Sequence, residues 1–334
     1  MTRILKFIFL FAGLGLLTWA VKSVDTARVF DLLLNMGYGF ILVLLVYALV
    51  NYLDTIAWHY NFKPEQAFRF NSFQLWRIRI IGEAYNVITP LGTMGGEPVK
   101  AQLLKDHHGL TFKQGLASLV ITRTTLLVGL ITFLIPGIIL IFQSEIIPEE
   151  LKYISLTGMV VFTILIFLFF LFQVTGMLGI LASWAERVVP RLVGHAFIDQ
   201  LKTLDGLMST FYREFPDRTI KSIVYAFVGW VVGLGELHFA LYFLGYDPTL
   251  TELWIIEASL QLVKVGSFYI PMSLGAQEGG LIVIFIALGL AGDLGLAVSF
   301  VRRIKDLIWV SLGLLLGWSL AFKPAKVQPD ASEG

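Results

Sequence analysis

No cysteine occurs anywhere in the chain. Disulfides, thiol nucleophiles and cysteine-ligated zinc are thereby excluded, while the compartment is left open. Charge is scarce too: 15% of the 334 residues are Asp, Glu, Lys or Arg, against about a quarter in a soluble domain. The 25 basic and 24 acidic residues nearly cancel to a net charge of +1, and the basic ones are spread along the chain, so no nucleic-acid partner is expected. Several catalytic patterns are missing as well. There is no Gly-x4-Gly-Lys-Ser/Thr loop for ATP, no His-Glu-x-x-His, no Gly-x-Ser-x-Gly nucleophile turn and no Asp-x-Asp. No cofactor and no metal are expected. Adjacent His107 and His108 face different ways on a helix and have no further ligands near them in sequence.

What the chain has in abundance is apolar residues, 57% of the total, with a mean hydropathy of +0.78. They come in uncharged runs of about 20 residues, the length that crosses a bilayer as a helix. The fold expected is an all-α polytopic integral membrane protein with about 6–8 transmembrane helices plus re-entrant or broken helices. Spans are expected at Ile4–Val21, Gly37–Trp58, Leu116–Phe142, Tyr153–Trp184, Ile223–Leu244, Leu253–Ile270, Leu281–Val298 and Ile304–Phe322. Leu75–Pro90 is shorter and carries Arg77, Arg79 and Glu83, which reads as a re-entrant segment. Residues 185–220 form a polar, amphipathic stretch with apolar residues at helical spacing, including Leu204, Leu207 and Phe211. It joins a first half, about 37–184, to a second, about 221–322, and residues 323–334 read as a disordered tail.

Basic residues cluster at the N-terminus, in 59–79, in 99–113, in 185–221 and in the tail, whereas 143–152 and 245–252 are acidic. The preference of Lys and Arg for the cytoplasmic side then puts both termini inside. Arg302 and Arg303 fall outside on this tracing, against that preference, so either they face a cavity or the last third is traced wrongly. Glu236 is expected at the interface, near the outer end of its span.

Two apolar stretches break in one way, with a proline, glycines and a glutamate: Pro90 to Glu97 and Pro271 to Glu278, each with six residues between. Freed backbone groups and a carboxylate both need partners inside a membrane. A helix that starts there points unpaired N–H groups at whatever precedes it, which suits a phosphate or carboxylate. Gly95, Gly96 and Gly275 permit close backbone approach. Pro98 suits the first turn of a short helix running to about Asp106. Glu97 and Glu278 either meet a head group or merely cap the helices behind them. Two breaks in corresponding positions point to an inverted-repeat transporter. Arg79 and Glu83 lie one turn apart near Asn86, and Glu257, Gln261 and Lys264 share a helical stripe. These polar residues either pair with neighbouring helices or support a ligand. Arg123, two turns into its span, either snorkels or reaches an anion.

The run Gly92-Thr-Met-Gly-Gly-Glu-Pro-Val-Lys-Ala-Gln-Leu-Leu104, with Ile270-Pro-Met-Ser-Leu-Gly-Ala-Gln-Glu278 downstream, resembles the transmembrane region of lysylphosphatidylglycerol synthases, also called the flippase-like domain family. The resemblance implies a transporter moving a polar or charged lipid head group, an anionic or aminoacylated phospholipid, between leaflets of the bacterial plasma membrane. It makes Glu97, Lys100 and Glu278 the leading head-group contacts, with Gly95, Gly96, Gly275, Arg123 and Lys264 around them. Those synthases continue into a soluble aminoacyl-transfer domain. This chain ends twelve residues after its last expected span, so it reads as the transporter part alone, with membrane lipids as partners and a lipid-modifying synthase as a separate protein. The alternative is an intramembrane enzyme, or an accessory subunit in envelope lipid, glycolipid or hopanoid synthesis. The oligomeric state is not legible.

Overall fold

The computed structural model describes Ala27, Asp31, Leu34 and residues 36–88, 95–177, 179–180, 195–267, Ile270 and 273–321. The expected span Ile4–Val21, the prolines Pro90 and Pro271, the start of the 185–220 stretch and the tail 323–334 lie outside the described residues. The protein is all-α. Eleven helices are described: α1 Gly39–Tyr60, α2 Pro64–Ala67, α3 Ser72–Ile88, α4 Glu97–His108, α5 Phe112–Gln143, α6 Glu149–Thr175, α7 His195–Glu214, α8 Pro216–Phe243, α9 Leu250–Gly266, α10 Ala276–Ala287 and α11 Gly292–Ala321. Of these, α1, α5, α6 and α8 are long and apolar enough to cross a membrane. On α6 only 11% of the most apolar stretch is buried, and it exposes Ile154, Val161, Ile164, Leu165 and Phe167. So large an apolar surface suits lipid rather than water.

The chain gathers into two compact units. The first takes residues 1–54, 126–168 and 223–307. Its core joins Val43 of α1, Phe133 and Leu134 of α5, Leu237 and Leu241 of α8, Ile256 of α9 and Phe285 of α10. Small residues let these helices approach: Gly137 of α5 faces Ala258 of α9, and Gly129 of α5 faces Ala226 of α8. Phe133 stacks on Trp254 at 5.0 Å, and the indole nitrogen of Trp254 donates to the Phe133 carbonyl at 3.0 Å.

The second unit takes residues 55–125, 169–222 and 308–334. Trp58, Phe62, Phe70, Leu75, Ala101 and Leu104 pack at its centre. The apolar face of α7, through Met208, Phe211 and Tyr212, covers Ala117 and Ile121 of α5. This is the amphipathic stretch of the sequence folded down onto a span, its polar side outward.

The last third differs from the expected tracing. The apolar run drawn as Leu281–Val298 is interrupted: α10 ends at Ala287, and Gly289 turns the chain with φ of +74°. The carbonyl of Phe285 accepts from Leu290 at 2.8 Å, closing that turn. Helix α11 then runs unbroken from Gly292 to Ala321, straight through Arg302, Arg303, Lys305 and Asp306. Charge alone does not end a helix when its partners are at hand. Likewise α6 stops at Thr175 instead of Trp184, where Gly176 takes φ of +73°.

Candidate functional site

The first glycine-rich break leads into α4, which packs against α3 in the second unit. The contact is so close that it requires glycine on both sides. A Cβ on Gly96 would sit 1.8 Å from the carbonyl oxygen of Gly82, and one on Gly82 would strike the Lys100 side chain at 2.3 Å. Lys100 is thereby laid across α3, its side chain 4% exposed. Its ammonium donates to Glu83 Oε1 at 2.7 Å and to Glu97 Oε1 at 3.2 Å. Asn86 joins the two helices a second time, donating to Glu83 Oε2 at 3.2 Å and accepting from the Gly96 N–H at 2.7 Å. The charge of Arg79, one turn earlier, also acts on Glu83. Gly95 and Gly96 are buried, while Glu97 and Glu83 keep part of their surface open. A carboxylate pair sharing one ammonium is held at the mouth of a short helix, with its outer faces reachable.

The second break leads into α10 in the first unit. Ser273 and Gly275 both take positive φ, 48° and 76°, and the turn delivers Glu278 to a site where it is 1% exposed. One of its oxygens accepts from the Gly275 N–H at 2.7 Å, capping the helix, and the other accepts from Arg303 Nε at 2.7 Å. Arg303 belongs to a row of charges on α11. Arg302 donates to Glu257 Oε2 at 2.5 Å and lies 3.9 Å from Glu236. Lys305 donates to Glu236 Oε1 at 2.8 Å, sits 3.5 Å from Asp306 and rests 4.0 Å over the Tyr47 ring. Gln261 donates to the other oxygen of Glu257 at 2.6 Å. Lys264 lies beside this network and feels Arg302, Glu257, Asp306 and Lys305, but it makes no salt bridge among the described residues. With Lys264 counted, the cations match the carboxylates Glu236, Glu257, Glu278 and Asp306 in number. Such matching is what lets ions stay folded into apolar surroundings, where each lone charge would cost several kcal/mol.

Of the residues singled out in sequence, Glu83, Asn86, Gly96, Glu97 and Lys100 come together in one cluster, and Glu257, Gln261 and Glu278 meet in the other through α11. Arg123 sits on an exposed face of α5 and is engaged there. Two expectations are corrected. Arg302 and Arg303 are not in an outer loop but inside α11, the first buried and the second half-buried, and Glu236 is not interfacial but 7% exposed and bonded to Lys305. Lys305 and Asp306 went unnoticed. Four charged residues within five positions at the middle of an apolar 30-residue helix were the available signal, because intramembrane charges require partners. Among the described residues no group of three or more His, Asp or Glu is arranged to hold a metal.

Each cluster offers carboxylates and cations already paired with one another; Glu83 and Glu97 keep part of their surface open, whereas Glu278 is sealed in.

Residues 3–314 match the family described as the lysylphosphatidylglycerol synthase TM region. Two relatives from Methanothermobacter thermautotrophicus, each called a UPF0104 membrane protein, are 26% identical over 239 residues and 23% identical over 248. The first alignment covers 67% of this chain and 66% of the relative, just under two thirds of that protein, and the second covers 71% and 72%. No solved structure matches. With nearly the whole chain matched and its helices built for a bilayer, the protein belongs to the family of the lysylphosphatidylglycerol synthase transmembrane region.

Proposed function

We propose that the protein is a lipid translocase that carries a polar or charged head group, that of an anionic or aminoacylated phospholipid, between the leaflets of the plasma membrane. The observation that carries the reading is the Glu83–Lys100–Glu97 cluster. A buried ammonium shared by two partly open carboxylates stands at the start of a helix formed directly after a glycine-rich break. A head-group phosphate would take Lys100 from one carboxylate, aided by the N–H groups at the start of α4. A head-group ammonium or hydroxyl would take the carboxylate so released. Acyl chains stay in the bilayer throughout, so the protein need only replace the hydration of the head.

The second cluster, sealed around Glu278, anchors the helices beside it, with Lys264 the cation not committed to a salt bridge among the described residues. Family membership supports a role at membrane lipids. The test is made in liposomes containing the purified protein and a head-group-labelled phosphatidylglycerol. Outer-leaflet accessibility of the label is expected to rise faster with protein than without, and Lys100→Gln is expected to slow it about tenfold, the effect of one charge-assisted bond. Equal rates with and without the protein would overturn the reading.

A further inference from the structure

A cleft in the second unit, apart from both charged clusters, contains an unmet hydrogen-bonding demand. It lies where α1 ends, lined by Asn61, Lys63, Gln66, Gln114 and Ser118, with Phe211 of α7 on its apolar side. Asn61 is 2% exposed. Its amide nitrogen faces three hydroxyls: Thr122 at 3.0 Å, Thr125 at 3.0 Å and Ser222 at 2.9 Å. All three have spent their own hydrogens. Thr122 donates to the Ser118 carbonyl, Thr125 to the Thr122 carbonyl and Ser222 to Thr125 Oγ1. They can only accept, so the atom facing them must be the nitrogen, and the amide cannot be turned round. The hydroxyl of Ser118 is committed too, donating to the Gly115 carbonyl while it accepts from Trp58. Asn61 Oδ1 is left buried, with no donor among the described residues. A buried acceptor in that condition is destabilising until something donates to it.

The rim has the opposite character. The carbonyl oxygens of Gln66 and Gln114 are tied to the backbone N–H groups of Lys63 and Thr111, which leaves their NH2 ends as uncommitted donors. Lys63 is joined to Glu214 at 3.4 Å across a pair whose members are 27% and 54% exposed, a bond weak enough to be exchanged. One buried acceptor therefore stands beneath three donors. The cleft is about 20 Å3, room for one water-sized group, such as a hydroxyl or a primary ammonium. It opens where two spans, α1 and α5, meet the amphipathic helix α7.

We infer that this cleft is a binding site for a phospholipid head that carries a free hydroxyl or primary amine beside its phosphate. The hydroxyl or ammonium donates to Asn61 Oδ1, and Lys63, Gln66 and Gln114 hold the phosphate oxygens. A soluble glycerophosphate has the same chemistry, but the cleft's position at the ends of two spans assigns it to a lipid.

The test is native mass spectrometry of the delipidated protein with phosphatidylglycerol, with phosphatidylcholine and with free glycerol 3-phosphate. Phosphatidylcholine shares the phosphate but has no hydrogen to give. Phosphatidylglycerol is expected to bind about tenfold more tightly, the value of one bond to a buried acceptor. Lys63→Gln and Gln114→Leu, both at the rim, are expected to weaken it, whereas Lys105→Gln, an equal loss of charge on an exposed face of α4, is not. Asn61→Leu should abolish the preference for phosphatidylglycerol if that variant folds. Equal binding of the two lipids, or equal effects of Lys63→Gln and Lys105→Gln, would show that the cleft holds water alone and would overturn the site. Competition by glycerol 3-phosphate at the lipid's own concentration would overturn the assignment to a lipid. The readout is binding, so failure of translocation in liposomes leaves it standing, and its failure leaves translocation standing.

Discussion

The carboxylate of Glu97 is a quarter exposed and shares its cation, Lys100, with Glu83. That of Glu278 is 1% exposed, with one oxygen committed to the Gly275 N–H and the other to Arg303. Both glutamates stand seven residues after a proline, in the first turn of a 12-residue helix. The surroundings make the difference. Around Glu97 the polar contact between the helices runs through Lys100 and Asn86, which leaves an open flank. Around Glu278 a whole row of α11 charges fills the space. A cluster with redundant, partly hydrated partners can trade them for a ligand at little cost, whereas a sealed one holds helices together and gives up a partner only at a high cost. The first cluster is thus suited to exchange and the second to anchoring.

The sharpest way to break that comparison is to unbalance the sealed side. Arg302→Met leaves Glu257 buried without its salt-bridge partner, with Gln261 bonded to it and Lys264 nearby, and removes one of the two cations beside Glu236. A loss of about 3–5 kcal/mol is expected, the usual result of stranding one member of a buried pair. It would be read as a drop in melting temperature in a single detergent. Adding Glu257→Gln should recover much of it, because the stranded charge is then gone. A single variant as stable as the wild type would mean that the α11 row is not holding α9 in place.

Next in size is the backbone contact on the open side. Gly96→Ala puts a methyl group 1.8 Å from the Gly82 carbonyl oxygen, a backbone atom that cannot swing away. About 3 kcal/mol of destabilisation is expected. Gly280→Ala meets only the end of Val263 at 2.9 Å, and about 1 kcal/mol or less is expected there. Equal costs would show that α3 and α4 are not pressed together as closely as described.

Smaller again is the direct exchange of the glutamates. Glu278→Gln keeps an acceptor for the Gly275 N–H but strips Arg303 of its counter-charge, for a loss of about 2 kcal/mol. Glu97→Gln leaves Lys100 with Glu83, and a loss under about 1 kcal/mol is expected. In the liposome assay the order should reverse if the open cluster is where a head group is handled. A greater loss of stability from Glu97→Gln than from Glu278→Gln would undo the contrast.

Much of this architecture could be read in advance, for identifiable reasons. Helices α1 and α5 begin and end within a few residues of the hydropathy runs, because the bilayer length leaves little freedom. Helix α4 was announced by Pro98 and Glu97 at its start, and Gly109, which takes φ of +66°, ends it two residues beyond the expected Asp106. The α10–α11 boundary was missed because hydropathy draws the break at Arg302 and Arg303, although their partners lie far away in sequence, on α8, α9 and α10. The bond between Lys100 and Glu83 escaped for the same reason: 17 positions separate them, and only the close packing permitted by Gly82 and Gly96 brings them together. The cleft at Asn61 had no signal in the sequence at all, since it depends on where three hydroxyl hydrogens point.

The smallest expected effect concerns the outer edge of the sealed unit, where Tyr246 donates to Glu252 Oε1 at 2.5 Å and Thr249 closes a capping box with the same glutamate. Burial, together with the bond to Glu252 and its negative charge, pushes the Tyr246 phenol up to about 12 from the usual value near 10. An acid whose folded form holds its proton more tightly contributes stability that is complete below about pH 10, where the unfolded chain is still protonated. That contribution disappears as the pH rises through 12. Tyr246→Phe removes both the bond and the proton, so the variant should melt slightly below the wild type at pH 8, and the gap should close between about pH 10 and 12. Melting curves of the two proteins across that range provide the measurement. A gap that stays constant with pH would mean that the phenol does not anchor the start of α9, leaving the capping box of Thr249 and Glu252 to hold that end of the network alone.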